Sequence, residues 1–220
     1  MFKVSIVQIN IYFCPMDKKQ IEILERASQV FMKYGIKTVT MDDLSRELGV
    51  SKKTIYKYFD DKNALVNAMF KAKLEEDRET CTTCNEAGVN AIDALIKISR
   101  FVMEHLSNVN PTVFYDIRKY YPEAWKLMDD HKWNFILTNI RENLERGIAE
   151  KLYRENLNVA IISRLYVSSI ETILNGEVFP WPEFKLDETL REVIRFQLKG
   201  MVNENGLIYI QQHFNNEINE

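Results

Sequence analysis

Between Ser51 and Lys62 the chain reads SKKTIYKYFDDK. Lys52, Lys53, Thr54, Tyr56 and Tyr58 occupy the positions left over once Ile55 and Phe59 turn inward on a short helix. Lysines and hydroxyls donate to guanine edges or to phosphate oxygens, and an aromatic ring packs on a thymine methyl or hands its hydroxyl to a phosphate. The chemistry these residues offer is therefore recognition of a DNA major groove. The other reading, a solvated basic face on an ordinary packing helix, leaves the flanking signals unexplained.

Those signals describe how such a helix would be held. Thr40 followed by Asp43 is a capping box, so a helix begins there with Leu44 and Leu48 on its buried side. Gly49 ends it in the left-handed conformation that glycine adopts freely, and Ser51 caps the next helix. Ser45 is small enough for the two helices to approach, and Val50 and Ile55 supply their apolar contact. Helix, tight turn and helix make a helix-turn-helix. A preceding helix from about Asp17 to Tyr34 buries Ile23, Ala27, Val30 and Phe31 and stops at Gly35. A following helix from Asp61 to about Glu79 carries Lys62 in its first turn, where a helix N-terminus beside a lysine can clamp phosphate. The candidate DNA contacts are Thr40, Ser51, Lys52, Lys53, Thr54, Tyr56, Tyr58 and Lys62, with Lys53 and Tyr56 placed for base edges and Thr40, Lys52, Tyr58 and Lys62 for phosphates.

The stretch Ile21 to Phe70 resembles the DNA-binding domain of the tetracycline-repressor (TetR) family. The likeness rests on Ala27 and Phe31, Gly35, Thr40, the LGVS turn ending at Ser51, the Tyr56-x-Tyr58-Phe59 signature, and Lys62 with Leu65. It covers about a quarter of the chain. It implies a ligand-responsive repressor that acts as a homodimer on a palindromic operator, with the last two long helices pairing across the two-fold axis and a small-molecule cavity in each body.

Composition agrees with a two-part chain. Its 220 residues suit one or two domains, and 46% apolar residues fill a sizeable core. Met16–Lys73 holds 12 Lys/Arg against 8 Asp/Glu, whereas Leu74–Glu220 holds 16 against 24, so a basic head precedes an acidic body. The fold expected is all-α: residues 1–15 a disordered or non-native extension before a natural start at Met16, 16–63 the helix-turn-helix domain, and 64–220 a helical ligand-binding and dimerisation domain, with helix 61–79 linking the two. The uncharged, β-prone run at the start is too short to span a membrane and lacks the features of a signal peptide, which points to the cytoplasm. Cys81-x-x-Cys84 has no second cysteine pair or paired histidines to complete a zinc site, so no metal or cofactor is expected.

From Asn85 onward apolar spacing predicts further helices, including a long one from Pro122 to about Ile148, one over 158–174 and one over 186–201. On the helix over 158–174, Ile162, Leu165, Tyr166, Ile170 and Ile173 read as the core side, and Ser163, Val167, Ser168 and Glu171 as the side open to a partner. Phe101, His105, Phe114, Tyr115, Trp125, Trp133 and Tyr166 are candidate ligand contacts; an aromatic set of this kind serves equally as plain core. No phosphate loop, nucleophile elbow or metalloprotease signature is present, so an enzyme is not expected. The competing function is a helix-turn-helix dimer that organises or marks DNA without a small-molecule effector.

Overall fold

The computed structural model describes residues 16–106 and 109–214; the expectation for residues 1–15 lies outside them. Helices dominate the described residues, with α1 (Lys18–Tyr34), α2 (Met41–Leu48), α3 (Lys52–Tyr56), α4 (Lys62–Ala87), α5 (Ala91–Leu106), α6 (Thr112–Tyr120) and α7 (Pro122–Asp130). A π-helical turn, His131–Ile136, leads into α8 (Leu137–Ala149), followed by α9 (Val159–Asn175), α10 (Leu186–Met201) and α11 (Glu204–His213). The chain divides into two compact units. The first takes the described residues up to Glu79 and those within Asn108–Asp129; the second takes those within Thr80–Ser107 and from Asp130 onward.

In the first unit Asp17 caps α1 by accepting from the Gln20 amide at 2.8 Å. The inner stripe of α1, Ile23, Leu24, Ala27 and Phe31, meets Leu44 and Leu48 of α2, Ile55 of α3, and Leu65, Val66 and Met69 of α4. Helices α6 and α7 join this cluster through Val113, Ile117, Tyr121 and Ala124, with Trp125 packed against it. On the sequence alone these two helices fall within the body, 64–220. They pack on the head because their apolar stripes cover the side of α1 and its exit turn that α2 and α3 leave open, and burying each large aliphatic side chain is worth about 1.5–3 kcal/mol.

The second unit is built on α5, α8, α9, α10 and α11. Ile92, Leu95, Ile140, Leu144, Tyr153, Tyr166, Val167, Leu198 and Ile210 form its core. Two polar side chains inside it are linked: Asn143 donates to the Ala91 carbonyl at 2.8 Å, and the fully buried Tyr153 hydroxyl donates to Asn143 Oδ1 at 3.1 Å. Cys81 and Cys84 sit on α4, which runs about two turns past the expected end at Glu79; Cys81 is buried, and burial pushes the half-buried Cys84 thiol up.

Helix α9 is rotated relative to the sequence reading. Ser163 and Val167 are buried at 0% and 3% exposure, while Leu165, assigned to the core, is 59% exposed and Ile161 61%. The apolar residues of this helix outnumber what one face can hold, so spacing alone leaves two phases open, and Tyr166 with Ile173 selects the one that buries Ser163. Of the expected partner face, Ser168 is half-buried and Glu171 is paired with Lys132 at 2.9 Å.

Candidate nucleic-acid interface

Helices α2 and α3 are capped at their N-termini by side chains and closed at their C-termini by backbone bonds. Asp43 donates its amide to Thr40 Oγ1 at 3.2 Å, and the Asp43 carboxylate accepts from the Thr40 amide at 2.9 Å and hydroxyl at 2.6 Å, with Arg46 on its other oxygen. This capping box holds the Asp43 carboxyl at about 2, first through the Thr40 hydroxyl, then the Thr40 amide and Arg46. Gly49 takes the left-handed conformation, φ 65°, and its amide bonds back to Ser45 and Arg46 carbonyls. Nothing lies within 4 Å of where its Cβ would be, so the conformation and not the space requires glycine. Ser51 then caps α3, its Oγ accepting from the Thr54 amide at 3.1 Å and lying 2.8 Å from the Thr54 hydroxyl.

Ile55 is wholly buried and Phe59 nearly so, which turns Lys52, Lys53 and Tyr56 outward on α3. Tyr56 is 45% exposed. Lys52 pairs with Asp42 of α2 at 2.5 Å, both side chains well exposed, an interaction weak enough for phosphate to displace. Thr40 and Ser51 stay at the surface beside them. Lys57, exposed at the end of α3, adds a cation that the sequence reading passed over.

Two expected phosphate ligands are placed differently. The Tyr58 ring is half-buried against the head core, and its hydroxyl helps to lower the pKa of the Asp17 carboxyl that caps α1. Lys62 is half-buried, with Nζ donating to the Ile36 and Val39 carbonyls at 2.5 Å each and lying 5.5 Å from the Phe31 ring centre. Burial lowers its pKa, opposed by the charges of Asp116 and Asp43. Lys62 is a staple across the turn between α1 and α2, where its ammonium satisfies two carbonyls that would otherwise lack a donor. Asp61 caps α4 instead, accepting from the Ala64 amide at 2.7 Å.

The aromatic set expected to contact a ligand divides between the units. Phe114, Tyr115 and Trp125 belong to the first, where Tyr115 is 55% exposed and bonded by Lys119. Phe101, His105, Trp133 and Tyr166 belong to the second. The Phe101 and His105 rings meet at a tilt of 43° with their centres 3.9 Å apart, and the His105 ring is held by the Phe101 carbonyl at 2.8 Å. Trp133, on the π turn, is 36% exposed, while Tyr166 is buried, its hydroxyl pushed up to about 12 by burial. Among the described residues no cluster of three metal-ligating side chains occurs, and no helix is long and apolar enough to cross a membrane.

A capped three-helix head whose second and third helices join through a glycine turn, on an otherwise helical chain, defines a helix-turn-helix DNA-binding protein. Residues 23–69 match the family model described as "Bacterial regulatory proteins, tetR family". The domain that these residues form is a tetR-family helix-turn-helix of the kind carried by transcriptional regulators. The chain is 24% identical over 190 residues to an uncharacterised HTH-type transcriptional regulator of Bacillus subtilis, YvaF, an alignment that covers 84% of this chain and 95% of that one. Its fold is similar to that of the fatty acid degradation regulator FadR of Bacillus halodurans, at 16% identity and a TM-score of 0.65 over 85% of this chain and 98% of the other. It is also similar to a transcriptional regulator from Saccharomonospora viridis solved in complex with choline, at 16% identity and a TM-score of 0.65 over 84% and 98%.

Proposed function

We propose that the protein is a cytoplasmic, ligand-responsive repressor that binds a palindromic operator as a homodimer. The observation that carries this reading is the outward face of α3, where Lys52, Lys53 and Tyr56 stand clear of the core beside the surface caps Thr40 and Ser51. Lys53 and Tyr56 reach base edges; Lys52, Thr40, Ser51, Thr54 and Lys57 line the phosphates; Tyr58 and Lys62 act from behind by fixing α1, α4 and the turns between helices.

The two-fold partner is assigned to α9 and α10. Gln197 donates to Ser169 Oγ at 2.7 Å, so these two residues mark where the helices meet. Beside that contact run Ile161, Leu165, Ser168 and Thr172 on α9, and Thr189, Val193, Phe196 and Gly200 on α10, both at spacings of 4, 3 and 4 and without a charge. Phe196 is 77% exposed. An uncharged surface on two adjacent helices is what a four-helix dimer bundle needs.

Effector binding is assigned to the second unit, with Phe101, His105, Trp133 and Tyr166 as its aromatic contacts. The choline-bound and other regulators of this fold support a small organic ligand as the effector class. The reading without an effector draws its support from the packing roles already filled by Trp125 and Tyr166. Selection from random-sequence DNA with the full chain tests the main reading. An enriched palindrome, lost in the Lys53→Ala/Tyr56→Ala double variant, is the expected result; no enrichment, or equal binding by that variant, would refute it. Calorimetry of candidate ligands with and without operator then separates the two readings, because linkage makes DNA lower an inducer's affinity by the factor by which the inducer lowers DNA affinity.

A further inference from the structure

The turn between α1 and α2, Gly35–Val39, is gripped from two sides within the first unit. Lys62 of α4 donates to the carbonyls of Ile36 and Val39. From α6, the Asp116 carboxylate, 5% exposed, accepts from the Lys37 amide at 2.8 Å, and the Tyr120 hydroxyl takes the Lys37 ammonium at 2.7 Å. Upstream of α6, Asn110 donates its amide to the Met32 carbonyl at 2.7 Å. The fit is close: a Cβ on Gly35 would come within 2.8 Å of Thr112 Oγ1. The turn so held ends one residue before Thr40, whose capping box sets the start of α2 and whose hydroxyl stands on the proposed DNA face.

We propose that Asp116 is a positioning residue for DNA reading: with Lys62 it fixes the Gly35–Val39 turn, and through that turn the entry of the helix-turn-helix, so that shifting α6 weakens operator binding without unfolding the head. This rests on the DNA-binding function proposed above. Asp116 touches no DNA. Its opposite charge near the half-buried Lys62 balances the ammonium while each takes a different part of the same turn, the carboxylate an amide and the ammonium two carbonyls. The route is distinct from the long helix α4. The chain leaves the second unit after α5, runs through α6 and α7 in the first, and re-enters the second at the π turn, so both ends of the α6–α7 segment are continuous with the effector-binding unit.

The test compares Asp116→Ala and Asp116→Asn with the parent in the full-length chain, at a temperature where circular dichroism shows all three fully folded. Two readouts are taken: operator affinity by fluorescence anisotropy, and hydrogen exchange of the Lys37 and Thr40 amides by NMR. Asp116→Ala is expected to lower operator affinity at least tenfold and speed both exchanges at least tenfold. Asp116→Asn, which keeps an oxygen for the Lys37 amide, recovers most of the affinity. A folded Asp116→Ala protein that binds operator like the parent overturns the proposal, and so does an affinity loss that Asp116→Asn leaves unrecovered. Should the parent itself bind no DNA, the repressor reading fails while the exchange data still decide the clamp: unchanged exchange at Thr40 overturns it, and faster exchange at Lys37 and Thr40 together upholds it.

Discussion

Asp43 is the residue whose chemistry can be followed most directly. Thr40 and Arg46 hold its carboxyl at about 2, against an ordinary 3.8. A folded value below the unfolded one means that the capping contribution is complete above about 3.8 and is lost as pH falls through 2. Carbon-13 NMR titration of the parent is expected to show Asp43 near 2, and of Thr40→Ala a value moved up toward 3.8; an unmoved titration would rule out the cap as the cause. Deeper in, Tyr153→Phe should lower the urea-unfolding free energy by about 1–3 kcal/mol, because the buried Asn143 oxygen loses its donor. The caps were legible in sequence because a Ser, Thr or Asp bonds an amide three residues on. Lys62 was not. Its partners lie 26 and 23 positions away, and a lysine opening a helix reads the same whether it points to solvent or to a carbonyl.

At the scale of elements, the helix-turn-helix and the ends of α9 and α10 follow from local signals, while the phase of a helix with apolar residues on several sides does not. Such a phase is set by neighbours. The apolar spacing from Pro122 to Ile148 likewise predicts one helix, and the structure places a π turn at His131–Ile136 within it. One extra residue per turn advances the following face by about 100°, so Ala124 and Leu144 can each face a core although the register between them changes. For α9 and α10 the corrected phase makes a prediction. Leu165→Lys with Phe196→Asp should convert dimers to monomers with the helical circular dichroism retained, since both side chains are exposed in the single chain. A dimer mass unchanged in light scattering would place the two-fold contact on other helices. The Ser163 and Val167 positions, buried within one chain, are expected to report on folding instead of assembly.

For the whole molecule, the basic head and acidic body seen in composition match the DNA-binding and effector-binding roles proposed above, but the boundary between them is not a single point along the chain. In a two-fold dimer the recognition helices meet half-sites on one side of the duplex, so the operator should be a palindrome with half-site centres about one helical turn or more apart. Lys53→Ala should reduce the slope of log affinity against log salt by roughly one. Lys62→Met should leave that slope unchanged and lower the melting temperature, which separates a phosphate ligand from an internal staple. The α6–α7 segment also bears on how the protein is made. The first unit draws its core from residues up to Glu79 and again from Val113, Ile117, Tyr121 and Ala124. On the ribosome its core therefore stays open while Thr80–Asp129 is synthesised, about 3–10 s at 5–20 residues per second. Phe31 and Ile36 wait for a covering helix through that interval, and a nascent chain stalled there would offer a chaperone or a protease the side of α1 that α6 and α7 later conceal.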